Sequence, residues 1–341
     1  MDRVMVCGSA TIDMFLDVES GSVSMHAGGF ETDLICFSSG SKVQIKELKT
    51  RIGGGGVNTA VDLSRLGNRA SYLGKIGGGH NGKKIRTALK KEKVDFIGTR
   101  ESREESGFSI IVKSEDGDRT ILTYKGANNG LKWGDFKKTE LKGADWFYFA
   151  SMVGESYKTV EQLSQWAVKN RKRILFNPSS YVVRRGLKYI RKVMSVSDIF
   201  VVNMEEAQIT LGLPPNAAQL PEAEVDSILK RLHKIGPKIV AITNGDKRAY
   251  VYDGRHKYTA LPYPAKTVDT AGAGDSFSSG FLSAYMRGED VERALNTGLA
   301  CAHSVVNSPE TWLQLRSMKE AEAVSDAFNS RGHTVTRQRL M

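Results

Sequence analysis

From residue 70 onward, short apolar runs alternate with stretches whose apolar positions recur at helical spacing. The runs are SYLGKIG (71–77), DWFYFASM (145–152), RILFNPSS (173–180), IFVVNMEEA (199–207) and IVAITNGDKRAYVYDG (239–254). Residues 159–170 and 222–235 carry the helical period between them, and 276–306 reads as one long helix-like closing segment. Buried strands alternating with amphipathic helices predict βαβ units and a mostly parallel, doubly wound α/β sheet flanked by helices. RVMVCGS (3–9) adds a first buried strand ending at Gly8-Ser9. No internal repeat, low-complexity tract or linker divides this core.

Two regions break the alternation. Residues 14–50 read as short polar-apolar strands, with TDLICF (32–37) and KVQIKEL (42–48) joined by Ser38-Ser39-Gly40-Ser41 as a hairpin. GFSIIVK (107–113) and RTILTYKGAN (119–128) read as a second hairpin, turned by Glu115, Asp116, Gly117 and Asp118. RGHTVTRQRLM (331–341) reads as a basic, frayed tail.

Composition narrows the class. At 341 residues and 40% hydrophobic content, the chain fits one large α/β domain with an appendage, or two domains. No apolar run reaches the length of a membrane span, and the N-terminus, with Asp2, lacks the apolar core of a secretory signal. Cys7, Cys36 and Cys301 form neither an even set nor a CxxC pair, which argues against disulfides or zinc and fits a cytoplasmic protein. The net charge of +11 comes from Lys and Arg spread along the chain, densest at 83–93 and 184–191. A clustered basic face and a recognition motif are both missing, so anionic small molecules are better partners for this charge than nucleic acid.

The densest chemistry lies in VDTAGAGDSFSSGF (268–281). Gly272, Ala273 and Gly274 let backbone amides crowd at the start of a helix, and the helix dipole adds positive potential there, which suits a phosphoryl group. Asp275 beside that point could take a proton from an attacking hydroxyl; the same letters also fit a plain helix start. Asp13 follows the first strand's carboxyl end, where ligands gather in α/β sheets, or is a turn residue. RIGGGGVNTAVDLSRLG (51–67) offers a glycine run that can approach a ligand closely ahead of a helix. Asn177 stands at a strand end or in an Asn-Pro turn. Asn203 and Glu206, three apart, share a helix face or form an N-cap.

D-T-A-G-A-G-D-S-F closely resembles the C-terminal signature of the ribokinase-like (PfkB) carbohydrate and nucleoside kinases, and further motifs of that family follow in order along nearly the whole chain. The resemblance implies a large α/β domain (1–13, 50–105 and 126–330) and a small β-sheet lid (14–49 and 106–125) that covers the sugar and forms a homodimer contact. It implies that Asp13, Gly53, Gly54 and Asn58 bind the sugar, Asp275 acts as base, and residues 272–274 form the anion hole. Asn203 and Glu206 match the N-x-x-E motif that organises Mg2+ through water, and Thr243, Asn244 and Gly245 match the T-x-G nucleotide loop for ATP. Cys301 stands where the family often has Asn or His near the base; His303 reads as a packed or surface histidine. Gly55 replaces the Lys of ribokinases proper, which leaves a roomier pocket. NSPETWLQL (307–315) departs from the family's monovalent-cation loop, against a potassium site through Asp269.

The acceptor stays open between a sugar, a nucleoside and a phosphosugar. A base-accepting pocket needs aromatic lid residues such as Phe15, Phe30 or Phe37; a phosphosugar pocket needs Lys or Arg converging near Asp13. A non-catalytic sensor with the same fold is the third reading.

Overall fold

The computed structural model describes residues 2–18, 21–27, 30–101, 103–113, 119–215, 220–309 and 311–340. In chain order the strands are β1 (Arg3–Cys7), β2 (Thr11–Val18), β3 (Gly21–Ala27), β4 (Phe30–Cys36), β5 (Ile45–Gly53), β6 (Arg69–Gly77), β7 (Asp95–Glu101) and β8 (Gly107–Lys113). They continue as β9 (Arg119–Tyr124), β10 (Trp146–Phe149), β11 (Arg173–Phe176), β12 (Ile199–Asn203), β13 (Ile239–Thr243), β14 (Ala249–Tyr252), β15 (His256–Ala260) and β16 (Thr336–Arg339).

A ten-stranded sheet runs in the order β16-β15-β14-β13-β12-β11-β10-β1-β6-β7. From β13 to β7 every pairing is parallel, while β14, β15 and β16 are antiparallel. The central strands are buried on both faces, as their unbroken apolar runs require. One core layer packs helices Gly55–Arg65, Ala273–Met286 and Val291–Val306 against the sheet; the other packs Glu155–Lys169, Leu187–Met194 and Glu222–His233. The reversal of strand order beside β1 and β10 opens a crevice at the strands' carboxyl ends, the usual ligand position in such sheets.

Four expectations are corrected. TDLICF and KVQIKEL are not each other's hairpin partners: β4 pairs with β3, and β5 pairs with β2. The Ser38–Ser41 turn instead carries the chain from one ribbon to the other, because β5's alternation is matched by β2 through Asp13↔Arg51 and Phe15↔Lys49. Residues 239–254 are two antiparallel strands, folded back at Gly245. The segment 276–306 breaks at Gly288, whose φ of 86° ends one helix before Asp290 caps the next. The basic C-terminal stretch is not frayed throughout, since Thr336–Arg339 completes the sheet edge against β15 and Arg337 lies over Tyr258.

A second sheet, β5-β2-β8-β9, stands apart, and β8 and β9 form the expected hairpin. Its turn at 115–118 lies outside the described residues. This sheet begins at Thr11 and extends to Gly53, so Asp13 sits inside it rather than at the end of β1.

Candidate active site

A cavity of about 950 Å3 occupies the crevice, lined by the ends of the parallel strands and the start of helix Ala273–Met286. Gly272, Ala273, Gly274, Asp275, Asn177, Asn203, Glu206, Thr243, Asn244 and Gly245 all face it. At its centre Gly272 caps the helix with φ 84°, and a Cβ there would stand 2.2 Å from the Thr311 carbonyl. Only glycine fits, and the turn directs the first-turn amides toward the cavity. Asp269 fixes the approach by accepting from the Ala271 amide at 3.0 Å, and the Arg51 guanidinium stands 3.6 Å from its other oxygen.

Asp275 lies in the helix's first turn. Burial pushes its carboxyl up to about 6, while the Asn58 amide, donating to Oδ2 at 2.9 Å, pulls it down. The Trp312 indole N–H donates to Asn58 Oδ1 at 3.0 Å. An indole can only donate, so this contact fixes the amide with its NH2 toward Asp275. Asn58 is thus buried behind the carboxylate and does not line the cavity, where the sequence placed a sugar contact. Beside it, Asp62 is buried and pushed up to about 7, and it accepts from Ser276 Oγ and the Leu313 amide. Asp62 therefore ties three segments of the site together.

These contacts set a testable pH response. Asn58 stabilises the ionised carboxylate, so removing its donor raises the Asp275 pKa. A base works only when ionised, so the acid limb of kcat/KM should move up from near pH 6. Asn58→Leu is expected to shift it by roughly one unit and Trp312→Phe by less, because the amide is then free to turn. A pH–rate profile with an unmoved or lowered limb in Asn58→Leu would contradict this arrangement.

At the second sheet, Asp13 is half-buried and its Oδ1 has no hydrogen-bond partner. Burial holds its carboxyl above the usual range, against the hydroxyls of Ser109 and Thr11 and the charges of Lys125 and Arg51. A Cβ on Gly53 would lie 2.0 Å from Asp13 Oδ2, so the glycine lets this carboxylate lie against the loop. Gly54 caps helix Gly55–Arg65 next to Ser9. Arg51 stacks over Phe15 at 4.4 Å. Phe15 is thereby engaged and Phe37 is exposed; the Phe30 side chain lies outside the described ones.

The opposite end of the cavity is formed differently. Asn177 lines it with its amide held between the Tyr148 hydroxyl at 3.0 Å and the Val201 carbonyl at 2.8 Å. Asn203 and Glu206 form a capping box: Oδ1 accepts the Glu206 amide, and Glu206 Oε2 accepts the Asn203 amide. Ser180 donates to Glu206 Oε1 and its backbone amide also bonds the carboxylate, which leaves one lone pair that could hold a metal-bound water. Thr243, Asn244 and Gly245 join Lys247 at the far wall.

An apolar wall completes that end through Tyr263, Leu299, Ala302, His303 and Val306. Positions 299, 302, 303 and 306 share one face of helix Val291–Val306. Cys301 lies on the opposite face, fully buried against Gly280 with its thiol pushed up by burial, so its place beside a bound base is corrected. His303 packs its ring edge-on to Phe328 at 4.9 Å and also borders the cavity.

The sequence reading missed Lys125, Ser151, Ser179, Tyr263, Asp62 and Trp312. Only the placement of Asp62 four residues after Asn58 on one helix face offered a signal. Among the described residues no group of three or more His, Cys, Asp or Glu gathers as a metal centre, and no helix is long and apolar enough to cross a membrane.

The family model described as pfkB family carbohydrate kinase matches residues 1–316. An uncharacterized sugar kinase of Archaeoglobus fulgidus is 28% identical over 238 residues, 69% of this chain and 90% of its own. A ribokinase of Haemophilus influenzae is 27% identical over 252 residues, 73% of this chain and 79% of its own. The solved structure of Arabidopsis thaliana ribokinase complexed with ribose and ATP has a TM-score of 0.79 at 20% identity, covering 95% of this chain and 98% of that one.

Proposed function

We propose that this chain, which belongs to the pfkB family of carbohydrate kinases, transfers the γ-phosphoryl group of ATP to a hydroxyl of a sugar. The observation that carries this reading is the meeting of Asp275, its Asn58 support and the Gly272–Gly274 turn at one cavity. Asp13 and the loop at Gly53 and Gly54, next to the cavity-lining Gly55, hold the acceptor's hydroxyls. Asp275 takes the proton of the attacking hydroxyl as its oxygen bonds to phosphorus and the bond to ADP breaks. The amides of residues 272–275 stabilise charge on the transferring group.

The nucleotide lies along Thr243, Asn244 and Gly245, with its base against the wall of Tyr263, Ala302 and Val306. The ribokinase complex with ribose and ATP supports that donor. Asn203 and Glu206 would hold Mg2+ through water, and a bound Mg2+ neutralises charge on the nucleotide phosphates. A nucleoside acceptor is the second reading, but among the described residues no aromatic from the second sheet lines the cavity. ADP release from ATP and Mg2+ across sugars, phosphosugars and nucleosides tests the function. Nucleotide binding with no ADP from any acceptor would return weight to a non-catalytic sensor.

We also propose a homodimer formed through the second sheet. On one face of the sheet Leu48 and Leu122 are 55% and 56% exposed, and Ile45 and Tyr124 are exposed with them. Two such sheets facing one another would bury this apolar area. Light scattering should give twice the 37.5 kDa chain mass, and Leu48→Asp with Leu122→Asp should give the monomer. A wild-type monomer at micromolar concentration would refute the dimer.

A further inference from the structure

Among the described residues, the two buried lysines are both paired. Lys257 reaches Glu222 at 2.8 Å and Asp226 at 2.6 Å, and Lys75 reaches the Gly130 carbonyl at 3.1 Å and Asp135 at 3.3 Å. Lys125, immediately after β9, is half-buried at the cavity end formed by Ser9 and Gly55. No described residue takes its ammonium in a hydrogen bond or ion pair; it lies 5.2 Å over the Tyr181 ring and feels the Asp13 charge. Burial holds its pKa below the usual lysine value, as expected of a cation short of a partner.

The main cavity has room for an oxyanion beside Lys125. Lys125 lines that cavity with Ser9 and Ser151, whose hydroxyls can donate; the recess it shares with Asn128, Asn129, Met152 and Val153 has room for about one water. Gly55 puts no side chain between this end and Asp275; a Cβ there would stand 3.4 Å from Asp275 Oδ1. A group seated at Lys125 would thus belong to the same molecule that presents a hydroxyl to Asp275. A partly desolvated ammonium gains most from an anion.

We infer that the acceptor carries an anionic substituent, a phosphate monoester or a carboxylate, which Lys125 holds together with Ser9 and Ser151. This rests on the kinase reading above and narrows its substrate to charged sugars. Asp13 then orients the acceptor's neutral hydroxyls, and Lys125 sets which end of the sugar faces away from the phosphoryl donor.

Wild type and Lys125→Met are compared on matched pairs: ribose and ribose 5-phosphate, fructose and fructose 6-phosphate, glucose and gluconate. At least one charged member should exceed its neutral counterpart in kcat/KM by about tenfold or more, and Lys125→Met should erase that advantage while the KM for ATP holds within about twofold. Lys125→Arg should restore part of it. Neutral members preferred throughout would overturn the inference, as would a charge preference surviving in Lys125→Met. A rise in KM for ATP with every acceptor alike would also overturn it, by placing Lys125 on the nucleotide. Calorimetric titration of the same pairs separates this inference from the kinase reading. Charge-selective binding lost in Lys125→Met, with no ADP formed, would sink only the kinase; turnover of neutral sugars alone would sink only this inference.

Discussion

Asp275→Asn is expected to lower kcat by about 10²–10⁴-fold, the range a positioned general base contributes. The substitution keeps the shape and can still accept the Asn58 amide, so the loss isolates the proton acceptor. Stability should move the other way. Burial holds the Asp275 carboxyl at about 6, above its ordinary 3.8, so the folded state binds a proton more readily than the unfolded one. That difference favours folding below pH 3.8 and is lost as pH rises through about 6, so at neutral pH an ionised Asp275 weighs against the fold. Replacing it should therefore leave Tm at pH 7.5 unchanged or raised. Loss of activity with lost stability would indicate a structural role. Activity within about threefold of wild type would remove Asp275 as the base. In wild type the acid limb of kcat/KM should fall near pH 6, with Asp62 titrating just above it as a coupled neighbour.

Much of the fold was legible because its signal is local. Strands such as WFYF and IFVVN are buried on both faces and must be continuous apolar runs. The pairing of the second sheet was less legible, since β2, β4 and β5 all alternate and nothing local tells β5 to choose β2 over β4. Strand β16 was illegible for a related reason: Thr-Arg-Gln-Arg is polar on both faces and is held by the backbone ladder to β15. In the site, contiguous motifs were readable. Residues reached across long separations were not, as with Trp312 on Asn58 or Lys125 beside Asp13, since no pattern near either partner reports the other. Cys301 failed through phase: two positions along a helix turns a side chain to the other face.

Gly272→Ala should produce the second large loss, about 10²–10³-fold in kcat, comparable to losing a preorganised donor at a developing charge. Two independent constraints act at this residue. Its φ of 84° is costly for any residue with a Cβ, by about 1–2 kcal/mol. The added methyl would also stand 2.2 Å from the Thr311 carbonyl, backbone that cannot swing aside as a side chain would. Either the turn or the 311–313 segment must move. The first movement swings the amides of residues 273–275 away from the transferring group; the second pulls on Leu313 and Trp312, which hold Asp62 and Asn58. Both routes damage the transition state more than the ground state, so kcat should fall while the KM for ATP changes little, and Tm should drop by a few degrees. Gly274→Ala is the control. A Cβ at that position meets nothing within 4 Å, so the fold should be unaffected and any loss should come from the methyl occupying the phosphoryl space. If Gly272→Ala kept near-wild-type kcat, the turn would not be the anion hole. If instead ATP KM rose steeply in Gly272→Ala with kcat intact, the turn would bind nucleotide without stabilising the transfer.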